Sequence, residues 1–78
     1  MVQDYKYYIP LSVGNFLEGE IQAYDPEDAA KEAVRYEIEE VGNDIRDGNQ
    51  LVKIVDGLGR CFNKTIKVDT VITYQCVG

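Results

Sequence analysis

No histidine occurs among the 78 residues. That absence removes the commonest general base, the Ser-His and Cys-His nucleophile arrangements and most zinc catalysis. The chain is therefore read as a binding protein and not an enzyme, with no cofactor. Cysteine is scarce too: Cys61 and Cys76 are too few for the disulfide framework of a small secreted domain and lack metal-ligand spacing. They are read as unpaired core or strand thiols, with a single bridge between them as the alternative. No apolar run approaches the roughly 18 residues of a membrane span, and the start of the chain lacks the layout of a signal peptide, so an intracellular protein is expected. Basic residues are outnumbered, eight Lys and Arg against fourteen Asp and Glu, for a net charge of −6. This disfavours direct binding to nucleic acid or anionic lipid, which depends on Lys and Arg displacing counterions. An acidic protein can still occupy a basic groove that normally holds nucleic acid.

What the chain does have is a globular composition, 45% apolar with two prolines, in a length that gives one domain, residues 1–78, and one core. Its organising stretch runs from Asp25 to Gly42, predicted as the one helix. Asp25 is the N-cap, Pro26 fits the first helical position, Glu27 and Asp28 suit the positive end of the macrodipole, and Gly42 closes the element. Ala30, Ala33, Val34, Ile38 and Val41 form one narrow apolar stripe at spacings of three and four.

The rest alternates with a period of two. Tyr5, Tyr7, Ile9, Leu11 and Val13 predict strand one, with Pro10 marking an edge or a local irregularity because it has no N–H for a ladder. Leu17, Ile21 and Ala23 predict strand two, with Glu18, Glu20 and Gln22 toward water. A three-residue loop pairing Val13 with Leu17 and Ile9 with Ile21 keeps both apolar sets together, and is favoured over a two-residue Gly14-Asn15 loop. Leu51 to Val55 predicts strand three, and Asp56-Gly57-Leu58-Gly59 a turn. Beyond it Phe62, Ile66, Val68, Ile72, Tyr74 and Cys76 alternate with polar residues, with a break expected near Asp69 and Thr70. The fold class is α+β: an antiparallel sheet of four to five strands packed against one helix, in the order ββαββ(β).

Two motif readings fail on spacing. Asp47-Gly48-Asn49 resembles a calcium loop, but a Gly48 at its sixth position would put Ile54 where the bidentate Glu belongs. Asp56-Gly57-Leu58-Gly59-Arg60 lacks the third glycine, the Lys-Ser or Lys-Thr end and the following helix of a phosphate loop. No metal site is expected.

Charge polarisation is the feature that folding explains least. Asp25 to Val41 carries seven acids and two bases, net −5 of the total of −6. Glu39 and Glu40 stand at the negative end of the macrodipole, and Asp28 faces Glu32. Asp28, Glu32, Glu39 and Glu40 are the candidate partner-binding residues, with Tyr8 and Tyr24 as exposed aromatics on the side of the first hairpin away from the helix.

The strand-helix junction Ile21-Gln22-Ala23-Tyr24-Asp25-Pro26-Glu27-Asp28-Ala29-Ala30-Lys31-Glu32-Ala33 resembles the junction of small phage and mobile-element proteins. In size, acidity and strand order the chain is similar to some anti-CRISPR proteins, with no diagnostic motif and no family residue carried over. The resemblance implies a viral inhibitor in the bacterial host cytoplasm that docks an acidic surface onto a basic, nucleic-acid-binding region of a defence ribonucleoprotein, as a monomer or homodimer. The alternative is a small antitoxin-like regulatory module that homodimerises through sheet edges or faces.

Overall fold

Short hairpins on either side of one helix bring β-branched and aromatic residues into a single antiparallel sheet, as the alternation requires. The computed structural model describes residues 1–11, 14–42, 48–68 and 74–78. The elements are β1 (Gln3–Pro10), β2 (Phe16–Ala23), α1 (Pro26–Tyr36), β3 (Gly48–Val55), β4 (Cys61–Val68) and β5 (Tyr74–Cys76). The sheet order is β2-β1-β3-β4-β5, every neighbouring pair antiparallel, and α1 contacts all five strands from one face. The α+β class and the order ββαββ(β) expected from the sequence are those of the molecule.

The first hairpin corrects the expected register. Ile9 pairs with Leu17 and Tyr5 with Ile21, not Ile9 with Ile21. The shift is an even number of residues, so Tyr5, Tyr7, Ile9, Leu17, Ile21 and Ala23 keep the core face and alternation alone does not distinguish the two registers, while Leu11 lies past the strand and is exposed. What the observed register adds is Tyr7 opposite Gly19. A Cβ on Gly19 would lie 2.6 Å from the Tyr7 hydroxyl, so the glycine makes the room in which the ring lies across the neighbouring strand. Leu11 N–H donates to the Asn15 carbonyl at 3.0 Å across the connection, and Val13 lies outside the described residues. Nor is β1 an edge strand: β2 and β3 flank it, and Pro10 falls at its end, past the three pairs Lys6 to Tyr8 make with β3.

Alternate residues of each strand fill the core: Tyr5, Tyr7 and Ile9, then Ala23, then Val52 and Ile54, then Ile66 and Val68. Against them α1 sets Ala29, Ala30, Ala33 and Val34, all at 0% exposure. Small side chains on this stripe let the helix lie close to the sheet, and leave room for the two tyrosine rings.

The helix begins as its capping residues predict. Asp25 is extended at φ −153°, and its Oδ1 accepts from Asp28 N–H at 2.7 Å, with Pro26 in the first turn. It ends differently from an ordinary α-helix. Glu37–Val41 forms a π-helical turn, closed by Gly42 at φ +84°. The wider turn advances fewer degrees per residue, so Val41 rotates off the stripe and is 53% exposed, contrary to its expected inward place. Ile38 keeps its contact with the core.

Between β3 and β4 the chain is folded over one carboxylate. Asp56 Oδ1 accepts from the amides of Leu58 and Arg60, each at 2.9 Å, and Oδ2 from Arg60 Nε at 2.7 Å, while Gly59 takes φ +82°. The expected break near Asp69 and Thr70, with Ile72 beyond it, lies outside the described residues, as does the 43–47 connection. Past β5 the chain stays against β4: Thr65 N–H donates to the Gly78 carbonyl and Val77 N–H to that of Thr65, at 2.9 and 2.8 Å.

Candidate functional site

The acids of the helix divide into those the fold uses and those it leaves at the surface. Asp28 belongs to the cap, where its amide is held by Asp25 and its Oδ2 lies 3.4 Å from the Tyr24 N–H. Glu27 reaches toward Lys64 of β4, with Nζ 4.0 Å from Oε1. Glu37 turns inward and is 5% exposed, its Oε2 accepting from the Tyr7 hydroxyl at 2.8 Å. Burial and the neighbouring carboxylate together hold the Tyr7 phenol well above its ordinary pKa.

Glu32 is paired with Arg35 on α1, and Glu39 and Glu40 follow in the π-helical turn. Glu32 Oε2 accepts from Arg35 Nη2 at 2.7 Å and Nε at 3.1 Å. The hydrogen bond to Glu32, then its charge and those of Glu39 and Glu40, raise the guanidinium above its ordinary value. At the far side of the group the Tyr74 hydroxyl of β5 donates to Glu39 Oε2 at 3.2 Å. Burial first, and then Glu39, push the Tyr74 phenol upward. The Glu32–Arg35 pair is partly exposed and contributes about 0.2–1 kcal/mol. One carboxylate thus bonds the guanidinium and two more stand on the same surface, formed by the end of α1, the π-helical turn and β5, with no basic residue in that last turn.

The predicted residues therefore occupy three places. Glu32, Glu39 and Glu40 form one patch, Asp28 and Tyr24 the strand-helix junction, and Tyr8 the opposite face of the sheet. Tyr24 is 66% exposed. Tyr8 lies beside Phe16, ring centroids 6.1 Å apart, with Lys53 Nζ 6.0 Å from the Tyr8 ring centre. Arg35 and Tyr74 complete the acidic patch and were not among the predicted residues. Arg35 is signalled by its spacing of three from Glu32, whereas Tyr74 depends on a strand pairing that composition does not encode.

In the glycine-containing turn the Asp56 carboxylate occupies the Leu58 and Arg60 amides, and the Gly59 N–H donates to the Asp56 carbonyl. Burial works against that carboxylate, but the Arg60 and Leu58 donors outweigh it and hold its pKa below the ordinary value. Cys61, on the outer face, and Cys76, on the core face, are both free thiols. Among the described residues no three His, Cys, Asp or Glu side chains are grouped to hold a metal ion, and no helix is long and apolar enough to cross a membrane. No family model, curated protein or solved structure matches this chain.

Proposed function

We propose that the chain is a non-enzymatic binding protein that sets the Glu32, Glu39 and Glu40 surface against a basic, nucleic-acid-binding region of a larger protein or ribonucleoprotein. The observation that carries this reading is the placement of Glu39 and Glu40. They sit in the last helical turn, where the macrodipole disfavours negative charge and where that turn holds no basic residue. Folding gains from them only the Tyr74 hydrogen bond to Glu39 and the attraction of the Arg35 charge, whereas a basic partner gains faster encounter and rejection of acidic competitors. The resemblance of the sequence in size, acidity and strand order to some anti-CRISPR proteins supports a phage-encoded inhibitor acting in the bacterial cytoplasm as the specific form of this proposal.

The test is capture from a bacterial lysate with the protein immobilised, comparing the unaltered chain with Glu39→Lys/Glu40→Lys. A true partner is retained at low salt, is released as salt rises and is lost with the double reversal, while circular dichroism shows the fold unchanged. Retention insensitive to both salt and charge reversal would sink the acidic-surface reading.

A further inference from the structure

The face of the sheet away from α1 has no element covering it among the described residues, and its side chains follow a pattern with internal symmetry. β1 runs between β2 and β3 with Asp4, Lys6, Tyr8 and Pro10 outward. On one side β2 presents Phe16, Glu18 and Glu20, and on the other β3 presents Leu51, Lys53 and Val55. The registers fix their heights: Phe16 is level with Pro10, Glu18 and Lys53 are both level with Tyr8, and continuation of the β1–β3 pairing sets Leu51 beside Pro10. Gln50 Nε2 donating to the Pro10 carbonyl at 3.0 Å holds that end together. Phe16 and Leu51 are 56% and 59% exposed. Thus an apolar group flanks Pro10 on both sides, while an acid and a base flank Tyr8 on opposite sides.

We infer that this face is a two-fold interface between two copies of the chain, with the axis running along β1 near Tyr8 and Pro10. A two-fold axis along β1 lays β2 of one copy over β3 of the other and preserves height along the strand. Glu18 then meets Lys53 of the second copy and Phe16 meets its Leu51, twice each, as an isologous contact requires. A cavity of about 320 Å³ beside Leu51, lined by Pro10, Leu51, Val52, Lys53 and Asn63, receives the Phe16 ring. An axis across the strands would instead stack β2 on β2 and oppose Glu18 and Glu20 to themselves, so the separation of charge selects one orientation. Asp4 and Lys6 of the two copies face themselves across this axis, a like-charge cost that sets the contact at the Tyr8–Pro10 end of β1 and keeps the association weak. The outward charges of β1, β2 and β3 cancel, with Asp4, Glu18 and Glu20 against Lys6 and Lys53 leaving −1, and so this face escapes the repulsion that a chain of −6 meets elsewhere. Six side chains per copy make an interface smaller than those of stable complexes, so the association is weak and concentration-dependent.

Sedimentation equilibrium across micromolar concentrations tests this, using the unaltered chain, Glu18→Lys, Lys53→Glu and the two combined. The expected result is a reversible dimer weakened about tenfold or more by each single reversal and restored by the combination, since the pair is then merely exchanged. A monomer at all concentrations overturns the inference and leaves this face to another protein. A dimer indifferent to both reversals overturns it too, by placing the contact elsewhere. The helix surface proposed above is not part of this contact, so its failure to capture a target leaves the dimer result intact.

Discussion

The hydroxyl of Tyr7 donates to Oε2 of Glu37 at 2.8 Å within the core, joining β1, an interior strand of the sheet, to the π-helical turn thirty residues along the chain. A buried hydrogen bond to a charged acceptor is worth about 1.5–3 kcal/mol, and its loss leaves a carboxylate in the core short of a donor. Tyr7→Phe should lower unfolding free energy by about that amount in a urea titration, and Tyr7→Phe/Glu37→Gln by less than the sum of the two single changes.

The same pair makes stability fall on the alkaline side. The Tyr7 phenol has its pKa raised in the folded state above the ordinary 10.0, so the unfolded chain gives up this proton first. Its contribution is complete below pH 10 and is lost as pH rises beyond that value. Thermal melts of the unaltered chain should drop in this range, and Tyr7→Phe should flatten the drop, with Tyr74 contributing a smaller one of the same sign.

Asp56 works in the opposite direction. Its folded-state pKa lies below the ordinary 3.8, so its contribution is present above that pH and lost as pH falls through the folded value. Asp56→Asn, which keeps one acceptor but removes the charge, should lower stability at neutral pH and leave a shallower acid limb. A melt series that shows no difference between the two proteins at neutral pH would rule out this role.

Gly19→Ala tests the space beneath the Tyr7 ring. The added methyl meets ring atoms of a buried side chain, an overpacking that costs about 1–3 kcal/mol. In a Tyr7→Leu background the same change should cost less, because the obstructing ring is gone.

How much of this could be read in advance depended on the kind of signal. Helix ends were legible because Asp25, Pro26 and Gly42 act locally, Asp25 through its carboxylate on the first turn and the other two through their own backbone. Strand faces were legible for the same reason, from alternation within one segment. The β1–β2 register was not, since any even shift preserves the faces, and the deciding contact, Tyr7 over Gly19, is non-local. The strand order was equally hidden: Pro10 argued for an edge, but a proline at a strand's last residue costs no ladder bond even in the middle of the sheet. Glu37 was overlooked as a core residue although it follows Ala33 by four positions, because an apolar stripe is read from apolar residues and its partner hydroxyl lies on another element. Of the candidate site, the charge was legible and its contacts with Arg35 and Tyr74 were not.

Each half of the sheet is stitched with eight residue pairs, β1 to β2 and β3 to β4, whereas β1 and β3 meet through three. The molecule therefore has a line of weakness down its centre, bridged by α1 lying across it. Hydrogen exchange at those amides of Lys6 to Tyr8 that point toward β3 should report opening along that line before either hairpin frays from within. A protein that parts there releases two preformed hairpins, and at high concentration these can trade partners between molecules, a slow route to entangled species that longer pairing at the centre would have closed.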